Sequence, residues 1–181
     1  MIIPPHPGDS VCCGAVLYGM NPAMVNGRIA RLTIGIGMAD IWNETIHNQR
    51  ASYIDEDGVK RCSNCFNGFV RKGDWIHSDM KVSHVMFPPS KWEIGRIKIY
   101  TSPATNPIFV DEPGVELLGF MLIDLPDVGK PSHERGVEVI MKFGGPTFEV
   151  SATYVRTQQS VSAGFKLFGI PCLLFLFSLN F

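Results

Sequence analysis

GVEVIMKFGGPTFEVSATYV, residues 136–155, reads as two strands folded on a Gly-Gly-Pro turn. Val137, Val139, Met141 and Phe143 alternate with Glu138, Ile140 and Lys142. After the turn, Phe148, Val150, Ala152 and Tyr154 repeat the same two-residue period. A period of two sends successive side chains to opposite faces of a strand, so each strand offers one apolar face that must be buried. A lone hairpin cannot bury it, and further strands have to supply the cover.

The pattern recurs upstream. RLTIGIGMADIW (31–42) sets Leu32, Ile34, Ile36 and Met38 against Thr33, Gly35 and Gly37. In IGRIKIYTS (94–102), Ile97 and Ile99 face one way and Lys98 and Tyr100 the other. MKVSHVMF (80–87), VELLGFMLIDL (115–125) and part of CFNGFVRKGDWI (65–76) complete a set of seven or so short strands. Eighteen glycines and 13 prolines mark the turns between them. Short strands at this spacing predict a mainly β fold, a β-sandwich. Residues 45–61 are polar, carry an Asp-Gly turn signal, and read as a loop or an exposed hairpin tip.

The two ends differ from this body. SVCCGAVLYGM (10–20) predicts a short helix, capped by Asp9 or Ser10 and apolar nearly all round, which needs cover on most sides. LFGIPCLLFLFSLNF (167–181) is apolar, uncharged and interrupted by Pro171. As a helix, its 15 residues would span roughly 22 Å, short of the ~30 Å hydrocarbon core. It reads as an apolar extension, and membrane contact through it is the lesser expectation.

At 181 residues, 45% hydrophobic and 18% charged, the chain can bury a core. A net charge of −1 gives no electrostatic footprint for nucleic acid or an anionic membrane. The N-terminus has no basic segment followed by an apolar core, so no secretory signal is expected. Five cysteines in no framework spacing point to reduced thiols and a cytoplasmic location. Cys12 and Cys13 are expected as small buried hydrophobes.

Candidate chemistry is sparse. Cys62-x-x-Cys65 has metal-ligand spacing, but a structural zinc site needs four ligands, and the partners considered, His77 and His84, stand outside the usual H-x3–5-H spacing. The two cysteines are weak metal candidates, better read as plain thiols. IGIGMAD (34–40) lacks the third glycine of a dinucleotide fingerprint and is better explained as a strand with close backbone packing. Asp55, Glu56 and Asp57 read as a solvated turn. No catalytic motif is present, so no enzyme activity is expected.

Several segments, taken in order, resemble the C-terminal half of the 70-kDa heat-shock protein superfamily, and its atypical heat shock 70 kDa protein 12 branch above all. PGDSVCCGAVLYGMNPAMV (7–25) resembles the segment closing the nucleotide-binding domain, and RLTIGIG (31–37) the first strand of the substrate-binding domain. FVRKGD (69–74), IKIYTS (97–102), LLGFMLIDLP (117–126) and VEVIMKFGGPTFEVSA (137–152) resemble later segments in the same order. The resemblance covers about residues 2–168. It implies a remnant of an actin-like ATPase domain over 1–25, a sandwich of the substrate-binding type over 26–168, and an extension over 169–181. The implied function is chaperone-like binding of unfolded or extended apolar peptide, with an adaptor module for a folded protein partner as the alternative. Ile36, Met38, Ala39, Ile97, Ile99 and Val139 would line the peptide cleft. The resemblance implies ATP for full-length relatives, but no cofactor here, because the phosphate-binding loops have no counterpart in this sequence.

Overall fold

The computed structural model describes residues 7–21, 26–47, 50, 52–143 and 147–166. Expectations for 167–181 and for the Gly-Gly-Pro turn lie outside them. The described residues form eleven strands: β1 (Gly27–Ile29), β2 (Thr33–Ile41), β3 (Ser52–Ile54), β4 (Lys60–Val70), β5 (Trp75–His77), β6 (Met80–Met86), β7 (Ile94–Ser102), β8 (Glu116–Asp124), β9 (Val137–Phe143), β10 (Thr147–Tyr154) and β11 (Ser160–Lys166). Two α-helices accompany them, α1 (Pro7–Met20) and the single turn α2 (Glu44–His47), with a 3-10 turn at Ser132–Glu134. The body is a β-sandwich of antiparallel sheets, ordered β11-β10-β9-β6 and β3-β4-β2-β7-β8, with β1-β5 as a separate two-stranded ribbon.

The hairpin forms as its alternation predicts. Phe143 pairs with Phe148, Met141 with Val150, Val139 with Ala152 and Val137 with Tyr154, and all eight side chains are buried. From the facing sheet Ile34, Ile36, Phe69, Val70, Ile97, Ile99, Met121 and Ile123 meet them in one continuous core. Each sheet thus covers the apolar face that the other cannot shield from water.

Gly35 shows why the Gly-x-Gly of β2 is a packing device. A Cβ there would lie 2.3 Å from the carbonyl oxygen of Asn67 and 2.5 Å from the Phe66 ring, so only glycine lets β2 approach β4 this closely. Gly35→Ala should cost about 1–3 kcal/mol through forced separation of the two strands. The shift of the urea midpoint measures it, and an unchanged midpoint would show that the strands part freely.

One expectation is corrected, and two hold. Cys12 and Cys13 are exposed, because no other element among the described residues covers α1 and every side chain from Asp9 to Met20 is exposed. The polar stretch 45–61 holds an exposed hairpin, one of its two readings: β3 pairs antiparallel with the start of β4 around a tight turn in which Gly58 takes φ +76°, and most of the helical turn α2 precedes it. The turn's acids are solvated as read, Glu56 and Asp57 exposed and Asp55 half-buried, and local bonds orient them. Asp55 pairs with Arg61 and accepts from the backbone N–H of Asp57 and Val59, while Glu56 Oε2 accepts from Ser90 N–H at 2.9 Å. Among the described residues no helix is long and apolar enough to cross a membrane.

Candidate functional site

Four of the six residues assigned to a peptide cleft form the interior of the sandwich. Ile36, Ile99 and Val139 are fully buried and Ile97 is 1% exposed, all within the main core. A ligand reaches them only if the sheets separate. Their period-two pattern places them on the inner face, where the opposing sheet fills the space that a cleft would occupy. Met38 and Ala39 are half-buried, at the point where β2 begins to leave the core.

An open cleft of about 670 Å³ lies just beyond them. Asp40, Ile41 and Trp42 from the end of β2 line it together with His47, Phe66 and Ile108. Along β2 the residues are buried at Thr33–Ile36, half-buried at Gly37–Ala39 and exposed at Asp40 and Ile41, so the strand carries its last residues past the sandwich edge. α2 then folds back across the strand end. Asn43 Oδ1 accepts from Thr45 N–H and from the Thr45 hydroxyl, satisfying two donors at the helix start. Opposite, Glu112 Oε1 accepts from the N–H groups of Ile108 and Phe109, both at 2.8 Å, and the Phe66 N–H donates to Ile108 O at 2.7 Å. Arg50 stacks 4.2 Å over the Phe109 ring and pairs through two bonds with Asp111, fastening this wall from outside.

Behind the cleft, Cys62 and Cys65 share one face of β4, which a regular strand forbids for residues three apart. A β-bulge makes it possible. Met38 pairs with Cys65 and Asp40 with Cys62, so Ala39 alone on β2 stands opposite Ser63 and Asn64 on β4. Asn64 takes the left-handed φ of +60° that absorbs the extra residue. The two cysteines pack with Phe109 and Trp42 in a second, smaller core.

His47 completes the group. Its Nε2 lies 3.8 Å from Cys65 Sγ, its Nδ1 accepts from Asn43 N–H at 3.0 Å, and its ring is 4% exposed. The ligand atoms of His47, Cys62 and Cys65 all fall within 4.8 Å of one another. Burial, reinforced by Cys62, pushes the Cys65 thiol up to about 12, so it stays protonated at neutral pH and is no nucleophile there. Neither histidine weighed as a metal partner takes part. His77 is exposed on β5, and His84 contacts Gly68 O and the edge of the Phe69 ring. His47 precedes Cys62 by 15 residues, outside the spacing of any metal-binding motif built on the cysteine pair. Its one sequence signal was an isolated Ile-His inside an otherwise polar stretch.

Fold and cleft together define an antiparallel β-sandwich with a ligand-sized opening at one strand end. No family model matches the chain. Over 168 residues it is 30% identical to heat shock 70 kDa protein 12A of Mus musculus and 29% identical to the Homo sapiens protein of that name. Each match takes in 91% of this chain and 25% of the relative. Heat shock 70 kDa protein 12B of Homo sapiens is 26% identical over 172 residues, covering 90% of this chain and 25% of that protein. The chain is a 12A/12B-like relative within the 70-kDa heat-shock superfamily. It spans about a quarter of the length of the curated relatives it matches.

Proposed function

We propose that the chain binds extended apolar protein segments, as a chaperone's peptide site does, at the cleft where β2 leaves the core. The cleft itself carries this reading. Ile41, Ile46 and Ile108, between 41% and 62% exposed, stand on its walls beside Asp40, Asn43 and Asn106. Apolar side chains next to polar groups suit an extended chain, which needs a pocket for a side chain and partners for its backbone. β3, one of the two outer strands of the five-stranded sheet, adds a three-residue edge with Tyr53 and Ile54 exposed. Membership in a heat-shock superfamily favours the same reading.

Fluorescence anisotropy of a labelled, extended apolar peptide titrated with the full chain tests it, with ATP added in parallel. Saturable binding indifferent to ATP is expected. Ile41→Asp and Ile108→Asp should each weaken it about tenfold, whereas Val128→Asp, on a loop outside the cleft, should leave it unchanged. A folded sample that binds no peptide, or an equal loss with Val128→Asp, rejects the reading.

The adaptor reading has one observation in its favour. α1 exposes Val11, Val16, Leu17 and Met20 by 52–79%, an apolar surface that a folded partner would cover. Partner binding lost on Leu17→Asp, with peptide binding intact, would support it.

A further inference from the structure

The trio behind the cleft is built from the donors that zinc prefers. We propose that His47 Nε2, Cys62 Sγ and Cys65 Sγ bind one Zn(II), with a fourth position open toward the cleft. Tetrahedral zinc with bonds of about 2.3 Å to sulfur and 2.0–2.1 Å to nitrogen sets neighbouring ligand atoms about 3.6–3.8 Å apart. Cys65 Sγ and His47 Nε2 already stand at 3.8 Å, and no pair in the trio exceeds 4.8 Å. Two thiolates and a neutral imidazole cancel the dication's charge, so the loaded site can remain at 1–4% exposure without a buried net charge.

The bulge makes sense on the same terms. Regular pairing would turn one of the two cysteines to the opposite face; Asn64 in the left-handed region brings both sulfurs to one point. Hydrogen bonding inside the trio is weak by comparison. The thiols lie 3.5–3.9 Å from backbone carbonyls and, for Cys65, 3.8 Å from the imidazole, long contacts that leave good ligand atoms poorly used. The soft sulfur donors disfavour magnesium and calcium, which take oxygen ligands. Asp40 and Glu44 also line the cleft, so a carboxylate or a water can fill the fourth position.

Binding requires a defined rearrangement of protons. Both thiol protons leave to solvent as the sulfurs take the metal. In the metal-free neutral ring, Nδ1 accepts from Asn43 N–H, and the ring proton therefore sits on Nε2. Zinc displaces it to Nδ1, where it would face Asn43 N–H donor to donor at 3.0 Å, so Asn43 N–H loses that acceptor and the ring has to turn away from it as the metal binds. Zinc binding thus costs one hydrogen bond at the start of α2 and ties α2 to β4 in exchange, fixing one wall of the cleft.

The test uses the reduced full chain, freed of metal and titrated with Zn(II), and with Co(II) as a spectroscopic probe. One zinc per chain should survive desalting, with release of about two protons at neutral pH. The cobalt form should show the intense visible bands of a tetrahedral ion and sulfur-to-cobalt charge transfer. His47→Ala and Cys62→Ser should each weaken zinc binding by at least about 100-fold; the double variant Cys12→Ser/Cys13→Ser, on exposed α1, should bind as the parent does. Should Cys62→Ser fail to fold, the cobalt spectrum of the parent still reports whether thiolates ligate. Weak, octahedral-type cobalt bands, or zinc retained by His47→Ala and lost with Cys12 and Cys13, overturn the proposal. So does a reduced chain that binds no zinc while its Cys62 and Cys65 close readily to a disulfide.

Discussion

Phe148→Ala should lower stability by about 3–5 kcal/mol, among the largest effects of any single truncation in this fold. Phe148 is fully buried and occupies the place where three strands of one sheet meet. It is paired across β10 with Phe143 of β9 on one side and Phe165 of β11 on the other. Ring centroids lie 5.6 and 5.7 Å away, with interplanar angles of 24° and 23°, giving a three-ring stack across the sheet. Truncation removes the middle ring, so both outer rings lose a partner and a cavity opens under the facing sheet. The rigid pairing of the backbone limits how far the neighbours can collapse into it. Urea unfolding of the full chain measures the loss, and Phe148→Leu, which keeps most of the volume, should show a smaller one. A shift under about 1 kcal/mol for the alanine variant would mean that the stack is not the centre of the core.

Arg135→Ala should cost a similar amount, about 3–5 kcal/mol, for a different reason. Arg135 is fully buried, and its guanidinium donates to three backbone carbonyls: those of Pro89, Trp92 (2.5 Å) and Leu125 (3.1 Å). These carbonyls belong to the connection before β7 and to the residue just past β8, so one side chain holds two chain crossings together. A buried ion pair can often be replaced by apolar residues, since both charges go at once. Here the acceptors are main chain and cannot be removed. Each carbonyl left without a donor incurs its own desolvation penalty. Arg135→Met therefore restores volume without restoring stability, and Arg135→Lys falls short because an ammonium cannot reproduce the planar fork. Thermal unfolding of the three variants separates packing from hydrogen bonding. A methionine variant as stable as the parent would show that the carbonyls find water instead.

Where alternation was strong, the sequence was sufficient to place strands. β7 covers 94–102 as read, β9 and β10 fall within the opening hairpin, β6 ends one residue short of its reading, and β8 is one residue shorter than its reading at each end. β11 was missed because Ser160, Ser162, Ala163 and Gly164 carry no apolar signal; Phe165 is its one buried residue. Small side chains leave a strand's period invisible even where its backbone pairs fully with a neighbour. α2 was missed for a related reason. One helical turn cannot express a period of 3.6, and it persists through Asn43 and its contacts with the cleft walls.

The candidate site was less legible than the fold. A run of alternating residues states which side chains share a face, because that follows from backbone geometry within a few residues. It does not state what lies across from that face. Ile36, Ile97, Ile99 and Val139 were therefore identifiable as one-faced apolar residues, yet only the packing of two sheets decided that they fill a core. The joining of His47 to Cys62 and Cys65 depends on a bulge, a helical turn and the pairing of β2 with β4. Local preference fixed the strands, and long-range pairing fixed which ligand atoms meet. The second depends on contacts between residues far apart in the chain, whose free energy no short window of sequence contains.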